Sequence, residues 1–154
     1  GDVDVTVELG TFSATTFVSV LAQDGFMLRV AKPDEFVEQT RVIPVLDTRS
    51  GIPVDVVLAG PGIEELFLER ATRYEIEEGV SVPVACPEDL IVMKILAMRP
   101  KDLQDVAAIL AAQGERLDEK LIRSTLALLE QALGQSDLVP ELERLLARAG
   151  SGRG

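Results

Sequence analysis

The hydrophobic pattern of this chain changes period near residue 86, and that change limits the folds open to it. Before it, short valine- and leucine-rich runs alternate with polar residues or are bounded by turn pairs, which reads as strands with helices between them. After it, apolar residues recur at three- and four-residue spacing, the pattern of helices that each bury one face. The expected fold is α/β (α+β): a mixed sheet with flanking helices, followed by a C-terminal helical bundle.

Residue by residue, Asp2 to Glu8 alternates Asp2, Asp4, Thr6 and Glu8 with Val3, Val5 and Val7, a period of two. Phe12–Gln23 is expected to be helical and to stop at Asp24-Gly25, with a short strand over Met27–Val30 and a helix over Pro33–Gln39. Arg41–Asp47 and Pro53–Ala59 form a hairpin around Thr48-Arg49-Ser50-Gly51. A helix over Ile63–Ala71 is followed by a second hairpin, Arg73–Glu77 and Val80–Ala85, around Glu78-Gly79. Four helices complete the chain, over Pro87–Met98, Pro100–Ala112, Asp118–Leu133 and Val139–Ala149. The change of pattern is one of layer, so a single domain over residues 1–150 is expected: a sheet-containing part (1–86), a helical part (87–149) and a loose tail (150–154).

Composition narrows the chemistry. Histidine is absent, which removes imidazole metal ligands, Ser-His triads and histidine bases together. The single Cys86 excludes an internal disulfide and fits a reducing compartment; with no signal peptide, the expected location is cytoplasmic. No apolar run approaches the roughly 20 residues that span a bilayer, so no membrane association is expected. A net charge of −11 makes a poor nucleic-acid binder by bulk field, though local basic patches remain open. Catalysis would have to run on carboxylates, lysine, hydroxyls or a bound metal.

Asp2 and Asp4 are two apart on a strand, so they point the same way and repel unless a cation lies between them. Mg²⁺ or Mn²⁺ would resolve that repulsion through oxygen ligands, whereas a solvated edge strand would tolerate it. Asp55 is a lone acid in the apolar run Ile52-Pro53-Val54-Asp55-Val56-Val57-Leu58, so it should face solvent or a cation. If its strand neighbours the first, three carboxylates meet, and such a cluster can hold one or two metal ions for phosphoryl transfer. Lys94 is the only cation inside an apolar helix and either snorkels or is aimed at phosphate. Asp102 and Asp105 share a helix face. Asp102 either caps its helix or pairs with Lys94 or Arg99. Glu88 and Asp89 read as first-turn partners of the helix dipole, and Cys86 as buried packing.

Taken in order, Asp2-Val3-Asp4-Val5, Ile52-Pro53-Val54-Asp55-Val56-Val57-Leu58-Ala59, Pro87-Glu88-Asp89-Leu90-Ile91-Val92-Met93-Lys94 and Arg99-Pro100-Lys101-Asp102-Leu103-Gln104-Asp105 resemble the minimal nucleotidyltransferase superfamily. The likeness runs to about residue 112 and is closest to the AbiEii-type toxin branch. It implies a DNA polymerase β-like fold that transfers a nucleoside monophosphate from an NTP to a hydroxyl with Mg²⁺ or Mn²⁺. Asp2, Asp4 and Asp55 would be the catalytic, metal-binding acids, and Lys94 and Asp102 the nucleotide-binding pair. The acceptor would be RNA, such as tRNA, or a protein, and an antitoxin protein or homo-oligomer would be the partner. The family carries a Gly-Gly or Gly-Ser triphosphate turn ahead of the D-x-D strand. This chain starts after that point, so the likeness is to an N-terminally truncated member. A second reading is a non-catalytic relative acting through a partner protein; a third is an α/β domain with incidental acids.

Overall fold

The structure is a computed structural model that describes residues 3–60 and 62–151. Two compact units form, Gly1–Leu66 and Phe67–Gly154. In the first, a four-stranded sheet has the order β1-β4-β3-β2, built from β1 (Val3–Val7), β2 (Phe26–Leu28), β3 (Val42–Asp47) and β4 (Pro53–Leu58). β3 runs antiparallel to both β2 and β4, while β1 pairs with β4 in parallel. A parallel neighbour needs a crossover, and the α1 (Ala14–Gln23), β2, α2 (Pro33–Thr40) and β3 segment supplies it.

Alternation along the strands separates two faces. Ile43, Val45, Val56 and Leu58 are buried, and Val7, Phe17, Leu21, Phe26, Leu28 and Val37 pack on them, so α1 and α2 cover this face. The opposite face carries Asp4, Thr6, Asp55 and Pro44, because each is one register step from a core residue. Arg41 ends α2 in the left-handed conformation (φ 56°). From there its guanidinium donates to the carbonyls of Leu58 at 3.2 Å and Ala59 at 2.9 Å, binding the helix end to β4.

The second unit holds the hairpin of β5 (Thr72–Glu77) and β6 (Val80–Val84), with a bulge between Glu75 and Glu77, and four helices. These are α4 (Pro87–Ala97), α5 (Pro100–Gln113), α6 (Glu119–Leu133) and α7 (Leu138–Ser151). α3 (Ile63–Arg70) runs across the boundary between the units. Ile91, Ile95, Val106, Ile122, Leu126 and Leu142 are almost wholly buried and make the bundle core. Pro at the first position of α4 and of α5 fits helix starts whose amides lack partners anyway.

The mixed α+β architecture with C-terminal helices is the one expected, and both hairpins fall on their turn pairs. Element ends differ at several places, β2 among them, which spans Phe26–Leu28 rather than Met27–Val30. Ser13 accepts a hydrogen bond from the Thr16 amide at 3.1 Å and caps α1, so Phe12 lies outside the helix. A 3₁₀ turn, Gly114–Arg116, prolongs the chain beyond α5. Asp118 is the N-cap of α6, accepting from the Leu121 amide at 2.9 Å, rather than its first helical residue. Among the described residues, no helix is long and apolar enough to cross a membrane.

Candidate active-site carboxylates

β1 and β4 are neighbours, and their register sets Asp4 directly beside Asp55. In-register residues on adjacent strands project from the same face with their backbones about 5 Å apart. Both lie on the face opposite the α1–α2 layer, and neither is buried. Pro44 of β3 is the register partner of Asp55 on its other side. Beyond it, the Arg29 amide donates to the Pro44 carbonyl at 2.9 Å, which continues the β2 ladder by one residue. A row therefore crosses the sheet: Asp4, Asp55, Pro44, Arg29.

Within that row, Arg29 and Asp55 are joined by charge. Arg29 Nε donates to the Val45 carbonyl at 3.1 Å, and the outer guanidinium nitrogen forms an ion pair and hydrogen bond with Asp55. Pro44 has a compact, uncharged side chain over which the guanidinium can pass. A lone acid in an apolar strand thus finds a cation while keeping part of its contact with solvent. That cation is a side chain, and the sequence reading did not single it out. The clue was present: Arg29 is the first basic residue in the chain.

Asp2 lies outside the described residues, and among those described no three acids or cysteines gather as a metal-holding group. Asp4 and Asp55 set two carboxylates side by side on one sheet face, hard oxygen donors of the chemistry that suits Mg²⁺ or Mn²⁺.

Lys94, Asp102 and Asp105 meet in the second unit. Asp102 and Asp105, one turn apart on α5, both turn to Lys94 of α4: Nζ lies 2.7 Å from Asp105 Oδ2 and 3.7 Å from Asp102 Oδ1. Arg99 closes the other side of Asp102, with Nε 2.5 Å from Oδ2 and the outer nitrogen 3.2 Å from Oδ1. Asp102 is only 4% exposed. The Arg99 hydrogen bond holds its carboxyl below the ordinary value of 3.8, against the opposing effect of burial and with help from Lys94. Of the alternatives open for Asp102, pairing describes its place, since the α5 N-cap position belongs to Arg99.

The start of α4 holds more than dipole partners. Glu88 accepts the Asp118 backbone amide at 3.0 Å and so joins the beginnings of α4 and α6. Asp89 is fully buried, and Arg70 Nη1 donates to its Oδ1 at 2.9 Å while also reaching Thr125 Oγ1 at 3.3 Å. Asp89 Oδ2 has no regular hydrogen-bond partner among the described residues. Cys86 is half-buried at the α4 N-cap position rather than core packing. Burial pushes its thiol up to about 11; a backbone hydrogen bond at Asp89 opposes this and the Asp89 carboxylate adds to it. A thiol held protonated is no nucleophile at neutral pH.

No curated protein matches the chain. A family model described as a nucleotidyltransferase of unknown function (DUF6036) matches residues 26–127. That stretch takes in Arg29, Asp55, Lys94, Asp102 and Asp105 and starts after Asp4. Since the match covers about two-thirds of the chain, the protein belongs to this nucleotidyltransferase family.

Proposed function

We propose that the protein is a metal-dependent transferase that moves a nucleoside monophosphate from an NTP to a hydroxyl group of RNA or protein. The observation that carries this reading is the in-register pairing of Asp4 with Asp55 on one sheet face, in a chain of nucleotidyltransferase kinship. Asp4 and Asp55, with Asp2 completing the set, would hold Mg²⁺ or Mn²⁺; bound there, the ion supplies positive charge to the reacting phosphates.

The chain's own residues do the rest. β1 and β4 fix the spacing of the two carboxylates through backbone hydrogen bonds, so their geometry does not depend on a loop. One carboxylate of the set accepts the proton of the attacking hydroxyl. Lys94 is the phosphate-binding cation of this reading and Asp102 its positioning partner, an assignment that rests on the motif resemblance. The AbiEii-like order of motifs extends the reading to a cytoplasmic toxin held by an antitoxin protein.

The test is thermal unfolding with Mg²⁺ or Mn²⁺ and each NTP, at matched ionic strength, for the wild type, Asp4→Ala and Asp55→Asn. A ligand that binds only the folded state at one hundred times its Kd stabilises by about 2.7 kcal/mol. The wild type should show a metal-dependent rise that both variants lose. Equal responses in all three would refute the assignment. Incubation with labelled NTP and either bulk tRNA or protein then identifies the acceptor.

A further inference from the structure

We propose that Arg29 is a phosphate-binding residue of the Asp4–Asp55 site, held in place by Asp55 until a cation takes that carboxylate. This deepens the proposed function and rests on it.

The anchor of Arg29 is fixed at two points. Its backbone amide is tied to Pro44 and its Nε to the Val45 carbonyl at 3.1 Å, so the outer edge of the guanidinium is the part free to change partner. That edge is on Asp55. The Arg29 and Asp55 side chains are each 36% exposed, so a ligand from solvent can reach both.

Charge bookkeeping on this face then dictates an exchange. Without a metal, Asp4 and Asp55 are neighbouring anions, and Arg29 neutralises one of them. A divalent cation shared by Asp4 and Asp55 competes with the guanidinium for the same Asp55 oxygens. Once displaced, Arg29 has lost its counter-charge while still anchored beside the site. The anion that arrives with the cation is a polyphosphate, and a planar guanidinium edge matches two phosphate oxygens. In a chain of net charge −11, a built-in cation here also offsets the repulsion an incoming polyphosphate meets.

The experiment measures binding of Mn²⁺ alone, and of tripolyphosphate with Mn²⁺, by calorimetry to the full chain. The proteins are wild type, Arg29→Gln, Arg29→Lys and Asp55→Asn, each checked for folding by circular dichroism. Arg29→Gln should bind Mn²⁺ several-fold more tightly than wild type, because a competitor is gone. It should bind tripolyphosphate roughly tenfold or more weakly, the loss of a charge-assisted contact. Arg29→Lys should recover part of the tripolyphosphate affinity. Weaker Mn²⁺ binding by Arg29→Gln, or unchanged tripolyphosphate binding, overturns the role of Arg29 while leaving the carboxylate site standing. Absence of Mn²⁺ binding by the wild type, or its persistence in Asp55→Asn, overturns the carboxylate site and this inference with it.

Discussion

Asp102 shows how a buried charge is tolerated here and what its loss would do. With its carboxyl depressed by Arg99, the folded state favours the ionised form. Its contribution is therefore complete above the ordinary value of 3.8 and is lost as pH falls through the lower folded value. Urea unfolding of wild type and Asp102→Asn should differ by on the order of 2 kcal/mol at pH 6, and the gap should narrow below pH 3.8; a gap constant down to pH 2.5 would contradict the pairing. Cys86 gives a second expectation. With a thiol at about 11, alkylation by iodoacetamide should be slow at pH 7.5 and accelerate steadily towards that value. A fast reaction at neutral pH would mean that the thiol is not held as described. Neither behaviour is visible in the residue types. From the sequence, Asp102 reads as a cap or as a partner of Lys94 or Arg99, and Cys86 as buried packing; only their neighbours decide.

At the level of elements, two fastenings hold the second unit together. Arg70, leaving α3, enters the buried space between Asp89 of α4 and Thr125 of α6. Removing the arginine strips the buried Asp89 of its cationic partner, so Arg70→Met should cost roughly 3 kcal/mol or more in urea unfolding. Replacing both residues, Arg70→Met with Asp89→Leu, should recover most of that loss, because desolvation of the pair no longer has to be met. A double variant no more stable than the single would show that Asp89 has another role. The other fastening is Asp118, which caps α6 with its side chain and donates its amide to Glu88. Asp118→Ala should cost about 1 kcal/mol. The sequence pattern located these helices to within a residue or two, since Pro, Gly and apolar spacing act locally. It could not locate the Arg70–Asp89–Thr125 contact, which joins positions 19 and 55 residues apart from Arg70.

For the whole molecule the governing quantity is charge. Twenty-six acidic residues against fifteen basic ones make the folded state self-repelling. Raising NaCl from low ionic strength should increase the melting temperature by a few degrees, and Asp4→Ala should respond as the wild type does. Mg²⁺ at equal ionic strength should stabilise the wild type beyond that general effect, and Asp4→Ala should lose only the excess. If NaCl reproduced the whole Mg²⁺ response, screening would explain it and no specific site would be needed.

Local sequence determined the elements and the side on which each strand hides its apolar residues. Turn pairs, helix-starting prolines and hydrophobic period act within a few residues, and the chain states them openly. It also determined which residue types were available for chemistry: acids, a few cations and no histidine. Tertiary structure alone decided that β1 lies beside β4 in parallel, so that Asp4 and Asp55 share a register, and that Arg29 reaches the same carboxylate across Pro44. Strand order is a long-range choice, made between segments far apart in the chain. No spacing along the chain encodes which acid will stand next to which cation once the sheet is formed.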